Sequence, residues 1–280
     1  MSNIMKILVF GSSGLLGHSL IKELKQSFEV VGTTRERFDK NKNSFYFVED
    51  ILCMDLLEKC ISDVVPDVAI NCISLRDILS ATPDELRRVF SNFPKKLSDL
   101  SLKYGFRLIQ ISSDAVFSGI KGNYNEHDIP DPIDNYGIAK LEGESINENS
   151  LIIRTSMIGH SISGEVGLLD WYIKQKKCTL YKNAIFSGLP VNEISRIISK
   201  YFIINQDLTG IFHISSNPIS KYDLLSIVKE KYKLDIKIES DEDYKIDRSL
   251  NSSKFQKITG YRIKSWNDMI STMREENVNG

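Results

Sequence analysis

The sequence predicts an α/β protein with a doubly wound parallel sheet, on three observations. Lys6 to Phe10 is apolar, rich in branched residues and too short for a helix, the pattern of a strand buried on both faces. It turns on glycine at Gly11, Gly14 and Gly17 straight into a second apolar segment, Leu15 to about Gln26. Strand-like and helix-like stretches then alternate, as crossover connections require when they lay parallel strands side by side.

Each element has its reason. Gly11 permits a tight turn, Gly14 lets the backbone approach a pyrophosphate, and Gly17 lets the helix pack closely on the strand. The first N–H groups of that helix and its dipole favour an anionic phosphate. Gly11, Ser13, Gly14, Leu15, Leu16 and Gly17 are therefore candidate dinucleotide-binding residues. The spacing is G-x-x-G-x-x-G, and its position between the first strand and a helix separates it from an ordinary strand-turn-helix. Glu29 to Thr33 is the second strand. An acid beyond it would bind the adenosine ribose and repel a 2'-phosphate; the chain instead has Thr33, Thr34 and Arg35, hydroxyls and a guanidinium that suit a phosphate. NADPH is thereby favoured over NADH, with Arg35 as a solvated loop residue the competing reading.

Asn41 to Ser44 is a polar connection and Phe45 to Val48 the third strand. Asp50 and Ile51 either flank an adenine, or Asp50 caps the next helix. Val68 to Cys72 is the fourth strand. Asn71 to Ser74, with Cys72, Ile73 and Ser74 as cofactor candidates, stands at its carboxyl end, where ligands of open α/β sheets lie. Ala81 to Tyr104 is a long helical pattern, bent at Pro94 and stopped by Gly105. Arg107 to Ser112 is the fifth strand and runs into Ser112-Ser113-Asp114.

Composition removes several function classes. A formal net charge of −1 gives no electrostatic case for nucleic acid or an anionic membrane surface as partner. No apolar run reaches the length of a membrane span, and Met1 to Met5 lacks the basic-then-apolar layout of a signal peptide, which together predict a cytoplasmic protein. Cys53, Cys60, Cys72 and Cys178 share no metal-ligand spacing, so they read as reduced thiols and no metal is expected.

The chemistry enters at Asn135 to Lys140, where the next helix should begin. Tyr136 and Lys140, four apart, stand on one helical face, which puts an ammonium near a phenol. A free phenol has a pKa of about 10, too high for efficient proton transfer near neutrality, and a nearby positive charge lowers it.

Four stretches together carry a family resemblance: G-S-S-G-L-L-G from Gly11, S-S-D-A-V-F-S-G from Ser112 to Gly119, Y-G-I-A-K from Tyr136 to Lys140, and I-R-T-S-M-I-G from Ile153 to Gly159. The chain resembles an extended short-chain dehydrogenase/reductase and, more narrowly, is similar to the dTDP-4-dehydrorhamnose reductase family. Gly210 to Ser215, Ser220 to Leu225, and Asp247 to Phe255 before Gly260, Tyr261 and Trp266 agree, so the similarity covers nearly the whole chain.

The resemblance implies a Rossmann-like dinucleotide domain over residues 1–155, with 186–215 returning to it, and a mainly substrate-binding lobe over 156–280. It implies NADPH-dependent reduction of the 4-keto group of a nucleotide-linked 4-keto-6-deoxy sugar, in deoxysugar and cell-surface polysaccharide biosynthesis. Tyr136 then donates a proton to the C4 oxygen, Lys140 holds the nicotinamide ribose and depresses the Tyr136 pKa, and Ser113 hydrogen-bonds the same oxygen. Substrate contacts fall to Ser113, Asp114 and Arg248, whose fork-shaped cation fits a diphosphate; Asp241 to Arg248 reads equally as a charge-rich solvated loop. Val191 to Phe202 is a helical pattern, Trp171 and Trp266 read as packing residues, and His160 and His213 as structural. A homodimer is common in the superfamily.

Three positions depart from the family pattern: Ser113 stands for the usual Thr, Ala115 for an aromatic, and Phe90 for an Asn in the long helix. Asn92 lies about 200° from Phe90 around a helix and cannot replace that Asn, which puts any proton relay through it in doubt. Asp114 followed by Ala115 lacks the Asp-Glu pair of a sugar-nucleotide 4,6-dehydratase. Two alternatives stand: a nucleotide-sugar 4-epimerase, whose members usually retain NAD, and a noncatalytic NADP-binding regulatory subunit like that of methionine adenosyltransferase.

Overall fold

The first strand, β1 (Lys6–Phe10), explains why its run of apolar residues is unbroken: Ile7 and Val9 enter one core and Leu8 and Phe10 the other, on opposite faces of one sheet. The structure, a computed structural model, describes residues 4–35, 45–145, 147–162, 164 and 167–278. The predicted connection Asn41 to Ser44 lies outside them. The first half continues through α1 (Leu15–Leu24), β2 (Glu29–Thr34), β3 (Phe45–Phe47), α2 (Met54–Val64), β4 (Val68–Asn71), α3 (Pro83–Arg87), α4 (Phe93–Tyr104), β5 (Arg107–Ser113), α5 (Asn135–Glu142) and β6 (Ser150–Thr155). The second half adds β7 (Met157–Ile158), α6 (Leu168–Ile173), β8 (Lys177–Phe186), β9 (Leu189–Pro190), α7 (Val191–Ile197), β10 (Gly210–His213), β11 (Ile219–Ser220), α8 (Lys221–Tyr232), β12 (Lys237–Asp247), α9 (Ser253–Thr259) and α10 (Trp266–Val278).

Seven strands pair in parallel in the order β10-β6-β5-β4-β1-β2-β3. The order reverses between β1 and β4, the topological switch point outside which ligands of such sheets bind. Leu16, Leu20 and Leu24 of α1 join Ile194 and Ile197 of α7 in the core on one face; Leu57 and Ile61 of α2 join Leu97 and Leu100 of α4 on the other. That is the predicted doubly wound α/β architecture. No helix among the described residues is long and apolar enough to cross a membrane.

The predicted long helix is three pieces. Thr82 caps α3 with a reciprocal bond to Glu85, a π turn spans Arg88–Asn92, and α4 ends on Gly105 in the left-handed region. Pro94 has no N–H for the carbonyl four residues back, that of Phe90, and the backbone widens into the π turn just before it. The helical pattern from Val191 breaks similarly, into α7 and a π turn over Ile198–Ile203.

A second sheet, β11-β8-β12, departs from the sequence reading. The charge-rich residues from Asp241 to Asp247 belong to strand β12, parallel to β8, and do not form a solvated loop. Two acids of β12 are matched by lysines of β8: Lys177 pairs with Glu239 at 2.7 Å and Lys182 with Glu242 at 2.8 Å. Trp266 packs as expected and donates its indole N–H to the Asn217 carbonyl, whereas Trp171 is 45% exposed and is not a core residue.

Candidate active site

The glycine turn and the loop after β4 meet at the switch point. Gly11 has φ +78°, and a Cβ there would stand 2.9 Å from the Cys72 carbonyl and from the Ile73 nitrogen. A side chain at Gly17 would overlap the Gly11 carbonyl oxygen, so this glycine fits the helix against the turn itself. Ser12, which sequence reasoning passed over, donates to the Thr33 carbonyl at 2.6 Å and locks the turn to β2. Gly14 is the N-cap of α1, no side chain caps the helix, and its first turn has no acid. The N–H groups of Leu15, Leu16 and Gly17 are left pointing out of a helix end suited to phosphate, and the residues present fit a dinucleotide. Ser13 is exposed and Leu15 half-buried at this end, whereas the Leu16 side chain is in the core, so only its backbone can serve. Thr34 ends β2 in a buried position, with Arg35 exposed beyond it.

Asp50 does not cap α2, whose N-cap is Cys53. Its carboxylate accepts from the Leu52 N–H at 2.9 Å and pairs with Arg88 at 3.1 Å, while Ile51 packs half-buried against the core beneath. Asn71 fixes the neighbouring loop, donating to Gln110 and accepting from the Ile73 N–H, and Ser74 is exposed beyond it.

Ser113, Tyr136 and Lys140 come together at the carboxyl end of β5. Asp134 caps α5 by accepting from the Gly137 N–H at 2.7 Å, and a Cβ on Gly137 would overlap the Ala115 carbonyl. This close approach seats the start of α5 on the turn after Ser113 and brings the Ser113 hydroxyl to bear on the Tyr136 phenol. Lys140, 8% exposed, donates to the Ile111 carbonyl at 3.1 Å. Its charge also acts on the Cys72 thiol below the glycine turn, which ties the Tyr/Lys helix to the dinucleotide end of the sheet.

One sequence expectation is corrected here. Lys140 does not depress Tyr136. Burial pushes the Tyr136 phenol up to about 12, aided by Asp114 and Asp134, while the Ser113 hydroxyl and Arg248 pull the other way. The ammonium is engaged with Ile111 and lies 4.6 Å from the Phe90 ring centroid, against 5.9 Å for the Tyr136 ring. Burial lowers Lys140 itself to about 8. Phe90, 2% exposed, sits edge-on to Tyr136 at 5.2 Å and covers this side of the pair. Asn92 is exposed on another face of the π turn, as its spacing predicts.

On the other side of Tyr136 five segments converge. Ser113 donates to Asp114 at 3.1 Å, and the Ser156 hydroxyl, after β6, acts on the same carboxylate. Arg248, just past β12, pairs with Asp134 at 2.9 Å and acts with Lys221, the first residue of α8, on the Asp114 carboxylate. Arg248 is placed by backbone bonds that stitch the loop after β5 to the chain after β12: Asp247 N–H to the Gly119 carbonyl, Tyr124 N–H to that of Ser249, and Asn251 N–H to that of Tyr124. Sequence reasoning placed Ser156 only in a loop after the sixth strand and missed Lys221 and Asp134; the last carries a signal, a helix-capping acid just before Asn135.

Behind this layer is a buried ionic group. Arg154 grips Glu144 through two nitrogens, at 2.6 and 2.8 Å, and Glu144 accepts from Ser112 at 2.6 Å. His213 is structural, as expected, and has definite partners: the Tyr124 carbonyl at Nδ1 and Arg154 at Nε2. Burial and the Arg154 charge lower it to about 3. His160 contacts the Tyr232 hydroxyl at 2.8 Å and Asp170 at 3.5 Å. All four cysteines are free thiols, and no cluster of metal-ligating side chains occurs among the described residues.

The sheet order and the Ser, Tyr and Lys gathered at the carboxyl end of β5, one strand over from its switch point, define an extended short-chain dehydrogenase/reductase. Within that class the chain belongs to the RmlD substrate binding domain family, whose model matches residues 5–278. It is 27% identical over 253 residues to methionine adenosyltransferase 2 subunit beta of Rattus norvegicus, covering 82% of this chain and 72% of that protein. Its structure is similar to that of a hypothetical dTDP-4-dehydrorhamnose reductase from Sulfolobus tokodaii, with TM-score 0.80, 27% identity and coverage of 94% and 98% of the two chains. It shares its fold with dTDP-4-dehydrorhamnose reductase of Bacillus anthracis, solved in complex with NADP, at TM-score 0.82 and 20% identity over 98% and 99% of the chains.

Proposed function

We propose that this protein uses NADPH to reduce the 4-keto group of a nucleotide-linked 4-keto-6-deoxy sugar. The observation that carries the reading is the Ser113 hydroxyl set at the Tyr136 phenol, with Lys140 one turn along the same helix and the uncapped glycine turn beside it. The cofactor supplies hydride to the carbonyl carbon when bound. Leu15, Leu16 and Gly17 offer backbone N–H groups to its pyrophosphate, and Thr34 and Arg35 receive its 2'-phosphate. Ser113 holds the carbonyl oxygen against Tyr136, and Tyr136 gives that oxygen its proton. A phenol held well above its ordinary pKa is kept in the acid form that a reduction consumes. Arg248 and Lys221 face the same oxygen-rich corner from the second half of the chain, residues 156–280, and bind the anionic part of the substrate.

A second reading has a specific observation behind it. Phe90 fills the place beside Tyr136 and Lys140 with an aromatic ring, and the matched methionine adenosyltransferase relatives are named as the beta subunit of that enzyme. On that reading the protein binds NADP and a partner enzyme without turnover. Incubation with NADPH and dTDP- or UDP-linked 4-keto-6-deoxy sugars, followed at the nicotinamide absorbance, separates the two. Oxidation supports the reductase; NADP binding with no oxidation by any such sugar supports the subunit.

A further inference from the structure

We propose that Asp134 is a positioning residue: its carboxylate holds the Arg248 guanidinium in place relative to the helix that carries Tyr136. The charge that binds the substrate and the phenol that protonates it are then set against each other by one side chain. The inference rests on the reductase reading and adds the residue that registers substrate on acid. Asp134 gives one oxygen to each task. Oδ1 accepts from the Gly137 N–H at 2.7 Å and caps α5, while Oδ2 accepts from Arg248 Nη2 at 2.9 Å. Tyr136 lies in the chain between the cap and the residue it caps.

The backbone is held on both sides of the pair. On the helix side a Cβ at Gly137 would overlap the Ala115 carbonyl, so the first turn of α5 is fixed on the turn after Ser113. On the other side the chain flanking Arg248 is laced to the loop after β5. The Asp247 N–H donates to the Gly119 carbonyl at 2.8 Å, the Tyr124 N–H to the Ser249 carbonyl at 2.8 Å, and the Asn123 N–H to Ser249 Oγ at 2.8 Å. The stem of Arg248 passes bare backbone at Gly119, φ +86°, where a Cβ would stand 3.0 Å from Arg248 Cγ.

Only the head of the side chain depends on Asp134. Among the described residues Asp134 is the one group hydrogen-bonded to the guanidinium, and Arg248 Nε is buried with no partner. A guanidinium has five N–H donors, so one is spent on orientation and the rest are left for substrate oxygens. Holding the head before substrate arrives removes the cost of ordering a long side chain on binding. The Arg248 side chain is 18% exposed and that of Asp134 44%, and a pair so placed adds little to stability. Nor does the cap call for a carboxylate, because asparagine caps a helix as well as aspartate does.

That equivalence gives the test. Asp134→Asn keeps an oxygen for the Gly137 N–H and turns an amide nitrogen, itself a donor, toward Arg248. The first arm needs no sugar. In 1H–15N spectra of the NADP-bound protein, the Arg248 Nε–H signal, assigned by its loss in Arg248→Lys, has the heteronuclear NOE of ordered backbone in the wild type. In Asp134→Asn that order is lost, with the Gly137 amide signal and NADP affinity unchanged. An Arg248 signal equally ordered in both proteins overturns the proposal. The second arm measures NADPH oxidation with the 4-keto sugar. Asp134→Asn lowers kcat/KM by roughly 2- to 10-fold, the cost of ordering one long side chain, and lowers it no further in an Arg248→Met background. An unchanged or higher kcat/KM, or an equal loss in both backgrounds, overturns the proposal in an active enzyme. A wild type inert with every such sugar overturns the reductase reading and the role in the reaction with it.

Discussion

Gly17→Ala probes the joint on which the dinucleotide end of the molecule depends. A methyl at this position overlaps the Gly11 carbonyl oxygen and falls 2.8 Å from the Gly11 carbonyl carbon and 3.0 Å from the Ser12 Cα. All three are backbone atoms, so no side-chain rotation relieves the clash. The turn cannot retreat either, because Gly11 is already backed by the Cys72 carbonyl and the Ile73 nitrogen, and Ser12 is bonded to Thr33. Overpacking of this kind costs about 1–3 kcal/mol, and the rigid backing places Gly17→Ala at the upper end. At about 2–4 °C per kcal/mol for a chain of this size, the melting temperature falls by roughly 4–12 °C. Gly14→Ala is the matched comparison, since its methyl meets the Gly11 oxygen at 3.2 Å, a strain of only a few tenths of an ångström. Differential scanning calorimetry with and without NADP reads both variants. A Gly17→Ala protein that melts with the wild type and keeps its NADP affinity refutes the packing argument.

Three further outcomes follow from the same structure. Arg35→Ala weakens NADPH by roughly 10- to 100-fold, the worth of a charged phosphate contact, and NADH little; equal losses in titration calorimetry show that Arg35 is not a 2'-phosphate ligand. Glu144→Gln leaves the buried Arg154 guanidinium without its carboxylate and costs about 3–5 kcal/mol in urea unfolding; a change under about 1 kcal/mol contradicts the assigned burial of that pair. His213 titrates near 3 when folded and near 6.5 when unfolded, so between those values the unfolded chain binds the extra proton. Its contribution to stability is complete above pH 6.5 and is lost as pH falls toward 3. His213→Gln therefore shows a flatter decline in melting temperature from pH 7 to 4 than the wild type, and parallel declines contradict the assignment.

Much of the fold was legible because burial leaves a periodic trace. β1, β4 and β5 are buried along their length and read as apolar runs, and the glycine turn and the Tyr136/Lys140 spacing are local patterns. β12 was not legible, because its charges are neutralised by β8, some 60 residues earlier, and sequence shows the charges without their partners. The same holds for the polar side of the site. Arg248 meets Asp134 across a separation of 114 residues, and Ser156 and Lys221 reach Asp114 from two further segments. Phe90 was flagged as a departure by alignment on Pro94, yet its place needed coordinates: the Lys140 ammonium lies nearer the Phe90 ring than the Tyr136 ring, and burial sets the Tyr136 pKa in the direction opposite to the one expected.

Transfer of label from cofactor to sugar tests the central claim most directly. NADPH deuterated at C4 of the nicotinamide, incubated with a nucleotide-linked 4-keto-6-deoxy sugar and the protein, yields a product carrying deuterium at sugar C4 by NMR. Tyr136→Phe binds NADP as the wild type does and yields no labelled product. Labelled product from Tyr136→Phe at the wild-type rate, or none from a wild type that binds NADP, contradicts the account.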